Sequence, residues 1–285
     1  VIVGSPYNPT SFDESTVFDQ QSKDLIKRVL HETAEDLEVL VEILKKEGIV
    51  VKRTKPLHDP LKIYNVGGFE VEFLNQPLQP RDIIGFYGNK MLEVYTKDRS
   101  RYYESWGARD ILKEYFLRGA EWRSMPPPEL NKKTYQEYYE NSEVLFHNAN
   151  LIKCGKDIFY SQSNQKDPVK GKGTEQGLAW FKQQLPEFRF NEIPVGGHAD
   201  GKVALIKPGL LVTWKKAWIP EKLKSWDCII TDAGTKFPED FKQTRKQHFY
   251  KNYIEKWLSH WIGYVDETVF DVNMLSLSED KVICT

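Results

Sequence analysis

The sequence has few of the features that mark disulfide-rich, membrane-spanning or nucleic-acid-binding proteins. It holds three cysteines in 285 residues, an odd and low number that argues against a disulfide framework. With 40 basic and 41 acidic residues the formal net charge is −1, so it shows no basic excess typical of a nucleic-acid binder. No apolar run approaches the roughly 20 residues of a membrane span. We therefore expect a cytoplasmic protein with reduced thiols, no nucleic-acid partner and no membrane association.

Motifs for common cofactors and metals are missing as well. The sequence has no P-loop, no dinucleotide fingerprint, no HExxH and no paired CxxC, and its six histidines are scattered. We expect no cofactor and no metal. The cysteines offer no obvious nucleophile either. Cys228 lies in an apolar run, Cys154 in a predicted strand and Cys284 close to the last residue, and none stands beside glycines that would expose a thiol.

What the sequence does contain is a repeated pattern of tight β-hairpins, each with two short apolar runs joined by turn residues. The four turns are predicted at 88–89, 155–156, 208–209 and 278–280. Helical stretches at 100–118 and 173–185 follow the first two hairpins, and a further strand follows each of the first three. The repeating unit is therefore hairpin, helix, strand.

The first part of the chain matches the same unit in incomplete form. A helix is predicted over 22–47, where apolar residues recur every three or four positions and Gly48 follows as a stop signal. With the strands on either side it makes a partial first copy, followed by three copies and a last hairpin. Such units either surround a common centre or form an α/β sandwich with several hairpins. Residues 54–81 and 161–172 are predicted to be loops.

Polar residues precede two of the hairpins. His198 and Asp200 stand before the third at a spacing of two, which on a strand turns both side chains to one side. A histidine near a carboxylate serves as a general acid or base, although a hydrogen-bonded surface pair has the same spacing. His147, Asn148 and Asn150 hold a similar position before the second hairpin. In a radial arrangement, both sets would face one central cavity.

Two further candidates lie near the first hairpin. Asp82 is predicted at the start of a strand, where taken alone it is typical of a turn or cap residue beside a proline. Arg99, Arg101 and Glu104 form either a charge network at a helix start or a clamp for an anionic substrate. The network is the simpler interpretation.

These segments together resemble the amidinotransferases of the pentein superfamily, the group of glycine and inosamine-phosphate amidinotransferases. The matching stretches are VIVGSPYN, PRDIIGFYGNKMLE, RSRYYE, NANLIKCGKDIFYSQSN, HADGKVALIKPGLLV and VNMLSLSEDKV, in the family's order along nearly the whole chain. The resemblance implies one α/β domain over 1–285, a pentein-type five-bladed propeller of ββαβ units. We expect the fifth unit to be incomplete and the chain to be truncated at both ends.

The resemblance also implies a reaction. A cysteine attacks the guanidinium carbon of arginine, ornithine leaves, and a small amine accepts the amidino group from the covalent intermediate. His198 matches the family's catalytic histidine, and Asp82, Asp200 and Asn150 match substrate-binding positions. No cofactor is implied. The expected partner is a small guanidino compound such as arginine, and a homodimer is left open.

Three departures from the family pattern bear on activity. His147 stands in the place of a catalytic carboxylate, Ala217 in that of an arginine (with Lys215 and Lys216 beside it), and the segment with the nucleophilic cysteine is not present. The first hypothesis is therefore an amidinotransferase that is inactive as written. The others are a non-catalytic guanidino-binding protein on the same scaffold and a guanidino-group hydrolase of the deiminase type.

Overall fold

The computed structural model describes most of the chain in two compact units, Val1–Asn148 and Ala149–Thr285. The described residues are 1–16, 19–57, 59, 62, 64–66, 69–71, 76–96, 101–128, 143–161, 173–195, 197–231 and 272–284. Within these ranges no helix has both the length and the hydrophobicity that crossing a membrane requires. The single domain over 1–285 stays a prediction.

The first unit begins with the predicted strand, helix and strand. β1 (Ile2–Val3) pairs in parallel with β2 (Lys52–Arg53), and α1 (Gln20–Lys46) lies between them in sequence. Gly48 follows the helix with a φ of 75°, a left-handed conformation that glycine adopts without strain. The helix predicted over 22–47 and the strand after it are confirmed.

The stretch predicted as a loop over 54–81 holds more structure than expected. β3 (Tyr64–Val66) and β4 (Phe69–Val71) form an antiparallel hairpin, and α2 (Pro80–Ile83) begins at the end of the stretch. Asp82 therefore lies on a short helix, and its predicted position on a strand is wrong. The reason is Pro80, whose fixed φ suits the first helical position and whose carbonyl accepts a hydrogen bond from the Ile84 N–H.

A three-stranded sheet follows α2. β5 (Ile84–Tyr87) and β6 (Lys90–Glu93) form the predicted hairpin, and β7 (Glu121–Ser124) returns parallel to β6. A 3₁₀ helix at Glu104–Ala108 and α3 (Arg109–Leu117) connect β6 to β7. The core of this sheet and helix consists of Ile83, Ile84, Met91, Ala108 and Leu112.

The segment before α2 is held tightly against the start of the chain. Ser5 N–H donates to the Pro77 carbonyl at 3.1 Å, and Thr54 Oγ1 donates to the same oxygen at 2.8 Å. A Cβ atom at Gly4 would overlap the carbonyl of Leu78. Only glycine permits this approach, which fixes the place where α2 begins.

The second unit repeats the hairpin with a returning strand. β8 (Leu151–Cys154) is antiparallel to β9 (Asp157–Ser161), and β10 (Arg189–Ile193) returns parallel to β9. α4 (Glu175–Gln184) lies before β10 in sequence, and Thr174 caps it by accepting a hydrogen bond from the Gly177 N–H at 3.1 Å.

A third copy differs in its connection. β11 (Val203–Lys207) and β12 (Leu210–Thr213) form a hairpin, and β13 (Asp227–Ile230) returns parallel to β12. Two short 3₁₀ helices, Lys216–Trp218 and Glu221–Leu223, stand where the other copies have an α-helix. A final hairpin joins β14 (Leu275–Ser276) to β15 (Val282–Ile283).

The structure thus confirms the four predicted turns and the three returning strands. Within the residues it describes, each of three sheets has the same order, with a hairpin whose second strand pairs in parallel with the strand that returns. The five-bladed arrangement and the incomplete fifth unit stay predictions. Most of the loop predicted over 161–172 lies outside the described residues.

Candidate functional site

In the first unit, Asp82 belongs to a buried cluster of charges. Arg101 donates through Nη1 to Asp82 Oδ2 at 2.8 Å, and through Nε and Nη2 to the two carboxylate oxygens of Glu104, with an Nη2–Oε1 distance of 2.9 Å. The three side chains are 7%, 4% and 1% exposed, in the order Asp82, Arg101, Glu104. The charge network predicted around Arg101 is present and includes Asp82. Arg99 lies outside the described residues.

Asp82, Glu104 and Arg101 together have a net negative charge. Among these three described side chains two carboxylates share one guanidinium, so their formal charge is −1 when both carboxylates are ionised. Burial raises the pKa of Glu104 above its ordinary value, and the neighbouring Arg101 opposes that rise. A buried site with excess negative charge favours a cationic ligand, because such a ligand replaces the solvation that the carboxylates have lost.

His147 lies beside this cluster. It is completely buried, and one of its ring nitrogens is within 4.8 Å of a carboxylate oxygen of Asp82. Both residues belong to the first unit, which therefore brings two of the five predicted site residues together.

Two residues near Asp82 have no role in the sequence-based hypothesis. Tyr87 is buried, and its hydroxyl donates to Asn148 Oδ1 at 2.7 Å. Gly85 lies so close to these side chains that a Cβ there would be 2.6 Å from the Tyr87 ring. The available signal was an isolated glycine in an apolar strand, which often marks a close approach of another group.

In the second unit, His198 and Asp200 lie in a turn that precedes β11, so their predicted place on a strand is wrong. Gly197 has a φ of 78°, and the Lys202 N–H donates to the Ala199 carbonyl at 3.0 Å, which turns the chain before the strand begins. His198 and Ala199 are both buried, contrary to the alternation of a strand. Ala199 belongs to the hydrophobic core of this unit.

Three contacts hold this turn in place. Ser161 Oγ at the end of β9 donates to the Gly197 carbonyl. Thr213 Oγ1 at the end of β12 donates to the Lys202 carbonyl at 2.8 Å, and the Asp200 N–H donates to the carbonyl of Ala149 at 3.4 Å. The turn is therefore fixed by the ends of two strands and lies next to the residue that precedes Asn150.

Asn150 is a buried amide with unused hydrogen-bonding capacity. It is completely buried, and neither Nδ2 nor Oδ1 has a hydrogen-bond partner among the residues that the structure describes. A buried polar group left without a partner costs about 1–3 kcal/mol. A ligand that offers both a donor and an acceptor would remove this cost, so Asn150 is the strongest sign of a polar ligand in the second unit.

The lysines considered as substitutes for the missing arginine lie at the surface. Lys215, Lys216 and Ala217 are exposed, and Lys215 Nζ is 5.3 Å from the centre of the Trp218 ring. Lys202 Nζ is 5.2 Å from the same ring. These cations interact with an aromatic face, and neither Lys215 nor Lys216 has the buried position of a substrate clamp.

The three cysteines of the sequence are all among the described residues. Cys154 and Cys228 are partly buried beside the core of the second unit, and burial raises the pKa of both thiols, with Asp157 adding to the effect at Cys154. Cys284 is exposed. A raised pKa lowers the fraction of reactive thiolate, so Cys154 and Cys228 lack the environment of a nucleophile.

No protein-family profile matches the chain. Several curated proteins are similar to it in sequence. Glycine amidinotransferase, mitochondrial, from Gallus gallus is 29% identical over 215 residues, or 67% of this chain and 48% of the relative. Inosamine-phosphate amidinotransferase 1 from Streptomyces griseus is 29% identical over 216 residues (71% and 60%). L-arginine:L-lysine amidinotransferase from Pseudomonas savastanoi pv. phaseolicola is 29% identical over 234 residues (74% and 60%).

The chain is thus similar in sequence to several curated amidinotransferases. It spans about half to three fifths of the length of these curated relatives. Among solved structures, an amidinotransferase from Microseira wollei in the saxitoxin biosynthetic pathway has a TM-score of 0.68 at 25% identity, with 99% of this chain and 82% of that chain covered. The resemblance inferred from the sequence motifs is confirmed.

More distant solved structures share the fold alone. A dimethylarginine dimethylaminohydrolase has a TM-score of 0.57 at 9% identity over 99% of this chain and 82% of that chain. The amidinotransferase and hydrolase neighbours both have α/β pentein folds, which confirms the predicted fold class at that level.

Proposed function

We propose that this chain is the guanidino-binding part of an amidinotransferase. The observation that carries the proposal is its similarity, over about 70% of its length, to amidinotransferases named for glycine, inosamine phosphate and L-lysine. The three names all describe transfer of an amidino group and give different second substrates. One of them also names L-arginine. We therefore propose L-arginine or a close guanidino compound as the ligand, and leave the acceptor amine open.

Each site residue has a proposed role. Asp82 and Asp200 accept hydrogen bonds from the guanidinium, whose planar fork of donors suits carboxylate oxygens. Asn150 adds a further acceptor, and His198 transfers protons between the departing amine and the accepting amine. The negative charge around Asp82 and the unused amide of Asn150 support a cationic, hydrogen-bonding ligand.

The proposed chemistry needs a thiolate that attacks the guanidinium carbon and is later displaced by the acceptor amine. We propose that none of the three cysteines supplies it: burial raises the pKa of the Cys154 and Cys228 thiols, and exposed Cys284 has no neighbouring glycines of the kind that present a nucleophilic thiol. The 285 residues alone are therefore expected to bind arginine without transferring its amidino group. An assay for guanidinoacetate formed from arginine and glycine, and for citrulline as the product of a hydrolase, tests this expectation.

A second candidate function is a guanidino-binding protein that performs no chemistry. The observation in its favour is His147, which stands beside Asp82 where the family pattern has a carboxylate. An imidazole carries no negative charge, so it cannot stabilise a catalytic imidazolium as a carboxylate does. A hydrolase has weaker support, since the hydrolase neighbours share only the fold.

Calorimetry with L-arginine tests the binding proposal directly. The wild-type protein is expected to bind, and Asp82→Asn to weaken binding at least about tenfold because the site loses a charge-assisted acceptor. The matched control is Asp110→Asn, which removes a carboxylate that is 70% exposed and should leave binding unchanged. A folded wild-type protein that binds no guanidino compound would refute the proposal.

We also propose that the chain folds as one five-bladed propeller domain with an incomplete fifth unit and resides in the cytoplasm, with a homodimer as its oligomeric alternative. A single cooperative unfolding transition is expected of one domain. Analytical ultracentrifugation distinguishes monomer from dimer, and cell fractionation tests the location.

A further inference from the structure

We propose that Asn148 is a positioning residue that holds the Asp82 carboxylate in place for its ligand. The inference rests on the function proposed above, since Asp82 is placed there in guanidino binding. It assigns a role to a side chain that contacts the backbone on both sides of Asp82, at Arg81 in α2 and at Ile84 at the start of β5, and that takes no part in the chemistry itself.

The contacts of Asn148 lie on both sides of Asp82. Its Nδ2 donates to the carbonyl of Arg81 at 2.8 Å and to that of Ile84 at 3.4 Å. Its Oδ1 accepts from the Tyr87 hydroxyl at 2.7 Å. Each of these three hydrogen bonds is therefore made either to the segment that carries Asp82 or to the strand that follows it.

The segment needs such support because α2 is a single turn. It is stabilised by the Asp82 N–H bond to the Gln79 carbonyl at 3.0 Å and by the Ile84 N–H bond to Pro80. A helix of one turn leaves most of its carbonyls without partners inside the helix, so side chains from elsewhere must satisfy them. Asn148 does so at the Arg81 carbonyl of α2, and it also bonds the carbonyl of Ile84 at the start of β5.

The neighbouring residues are adapted to this arrangement. Gly85 leaves the space that the Asn148 amide occupies, since a Cβ at this position would overlap Oδ1. Burial raises the pKa of Tyr87, so its hydroxyl stays protonated and remains a donor to Asn148 throughout the physiological range. A glycine, a tyrosine and an asparagine therefore form one interlocked contact beside Asp82.

Asn148 and Arg101 restrain different parts of Asp82. Arg101 bonds the carboxylate itself, whereas Asn148 fixes the backbone that carries it. A binding group must be held within about half an ångström of its productive position, and supporting side chains provide that accuracy. Loosening the backbone should therefore weaken ligand binding more than it weakens the fold.

The most informative variant is Asn148→Asp. It has the same shape and keeps the acceptor for Tyr87, but it loses the Nδ2 donor to the Arg81 and Ile84 carbonyls. We expect it to weaken L-arginine binding about tenfold or more in calorimetry at a temperature well below its unfolding transition. Charge alone predicts the opposite, since an added carboxylate attracts a cation. Unchanged or tighter binding would therefore overturn the proposal.

Two further variants distinguish a loss of binding from a general loss of stability. Tyr87→Phe removes one contact of Asn148 and keeps its donor bonds, so a smaller loss of about threefold is expected. Asn89→Ala is the matched control. Asn89 lies in the turn of the same hairpin, and its side-chain amide donates to the Gly119 carbonyl at 2.9 Å. Its removal should leave binding unchanged. An equal loss in Asn89→Ala and Asn148→Asp would mean that general destabilisation is responsible, and would overturn the proposal.

Hydrogen exchange separates this inference from the proposed function. The Asp82 and Ile84 amides should exchange faster in Asn148→Asp than in the wild type, without ligand, while the exchange of β6 stays the same. If the wild-type protein binds no guanidino compound but these amides respond as described, the proposed function fails and the positioning of Asp82 stands. If their exchange is unchanged, the positioning role itself is refuted.

Discussion

Replacing Arg101 by methionine is the most direct test of the buried charge cluster. Methionine preserves much of the length and apolar stem of arginine but supplies no donor. The change removes one hydrogen bond to Asp82 and two to Glu104, and it leaves two carboxylates buried without their cation. The side chain of Glu104 is 1% exposed, so water does not replace the lost contacts without local unfolding.

The expected loss follows from this geometry. Removing one partner of a buried ion pair costs about 3–5 kcal/mol, since an uncompensated charge remains. The cost depends on pH in a defined direction. When the pKa of a carboxyl is higher in the folded protein than in the unfolded one, the free energy of unfolding falls as pH rises from the unfolded-state pKa to the folded-state pKa. Because the pKa of Glu104 is already raised and Arg101 opposes the rise, the variant's loss should be larger at pH 8 than at pH 5.

Urea unfolding of Arg101→Met and wild type at the two pH values measures this loss. The matched control is Arg28→Met, which breaks an exposed pair with Glu32 on α1 and should leave the free energy of unfolding nearly unchanged at either pH. A double variant, Arg101→Met with Glu104→Gln, removes one of the two carboxylates left without Arg101. It should recover part of the lost free energy of unfolding. A loss for Arg101→Met below about 1 kcal/mol, or one that grows toward low pH, would refute the account of the cluster.

Three further predictions concern other parts of the chain. Asp157→Asn should cost about 1–3 kcal/mol in urea unfolding at pH 7, and less as pH falls below about 4, because hydrogen bonds chiefly from Arg189 hold the pKa of Asp157 below its ordinary value. Gly4→Ala should lower the unfolding temperature, whereas Gly88→Ala, at an open turn, should lower it less. A disulfide reagent should modify exposed Cys284 before Cys154, whose thiol has a pKa raised mainly by burial.

Local sequence signals were sufficient for the hairpins and the returning strands. The turns at Gly88, Gly155 and Gly209 have φ values of 62°, 59° and 85°, which glycine adopts and most residues avoid. Apolar runs on both sides then pair by their own pattern. The long helix α1 was equally clear, because its periodicity is uninterrupted and ends at a glycine.

The site was harder to predict because distant contacts determine its local structure. Asp82 lies on a helical turn whose carbonyls are satisfied by Asn148, more than 60 residues later in the chain. The strand expected at His198 is displaced by a turn that Ser161 and Thr213 hold from two other strands. Short-range patterns supplied the candidate residues of the site, and their roles stay predictions. They did not determine the backbone on which those residues lie.

The binding and chemical parts of the proposed activity can be tested separately. Arg101, Glu104 and Asn148, which support Asp82, lie in the first unit, whereas Cys154, Cys228 and Cys284 lie in the second. His147 lies beside Asp82, and the thiols of Cys154 and Cys228 have raised pKa values. Binding should thus persist where turnover is absent. A chain selected only for binding would tolerate this separation, whereas an amidinotransferase would have to supply both a thiolate and a partner for its catalytic imidazole.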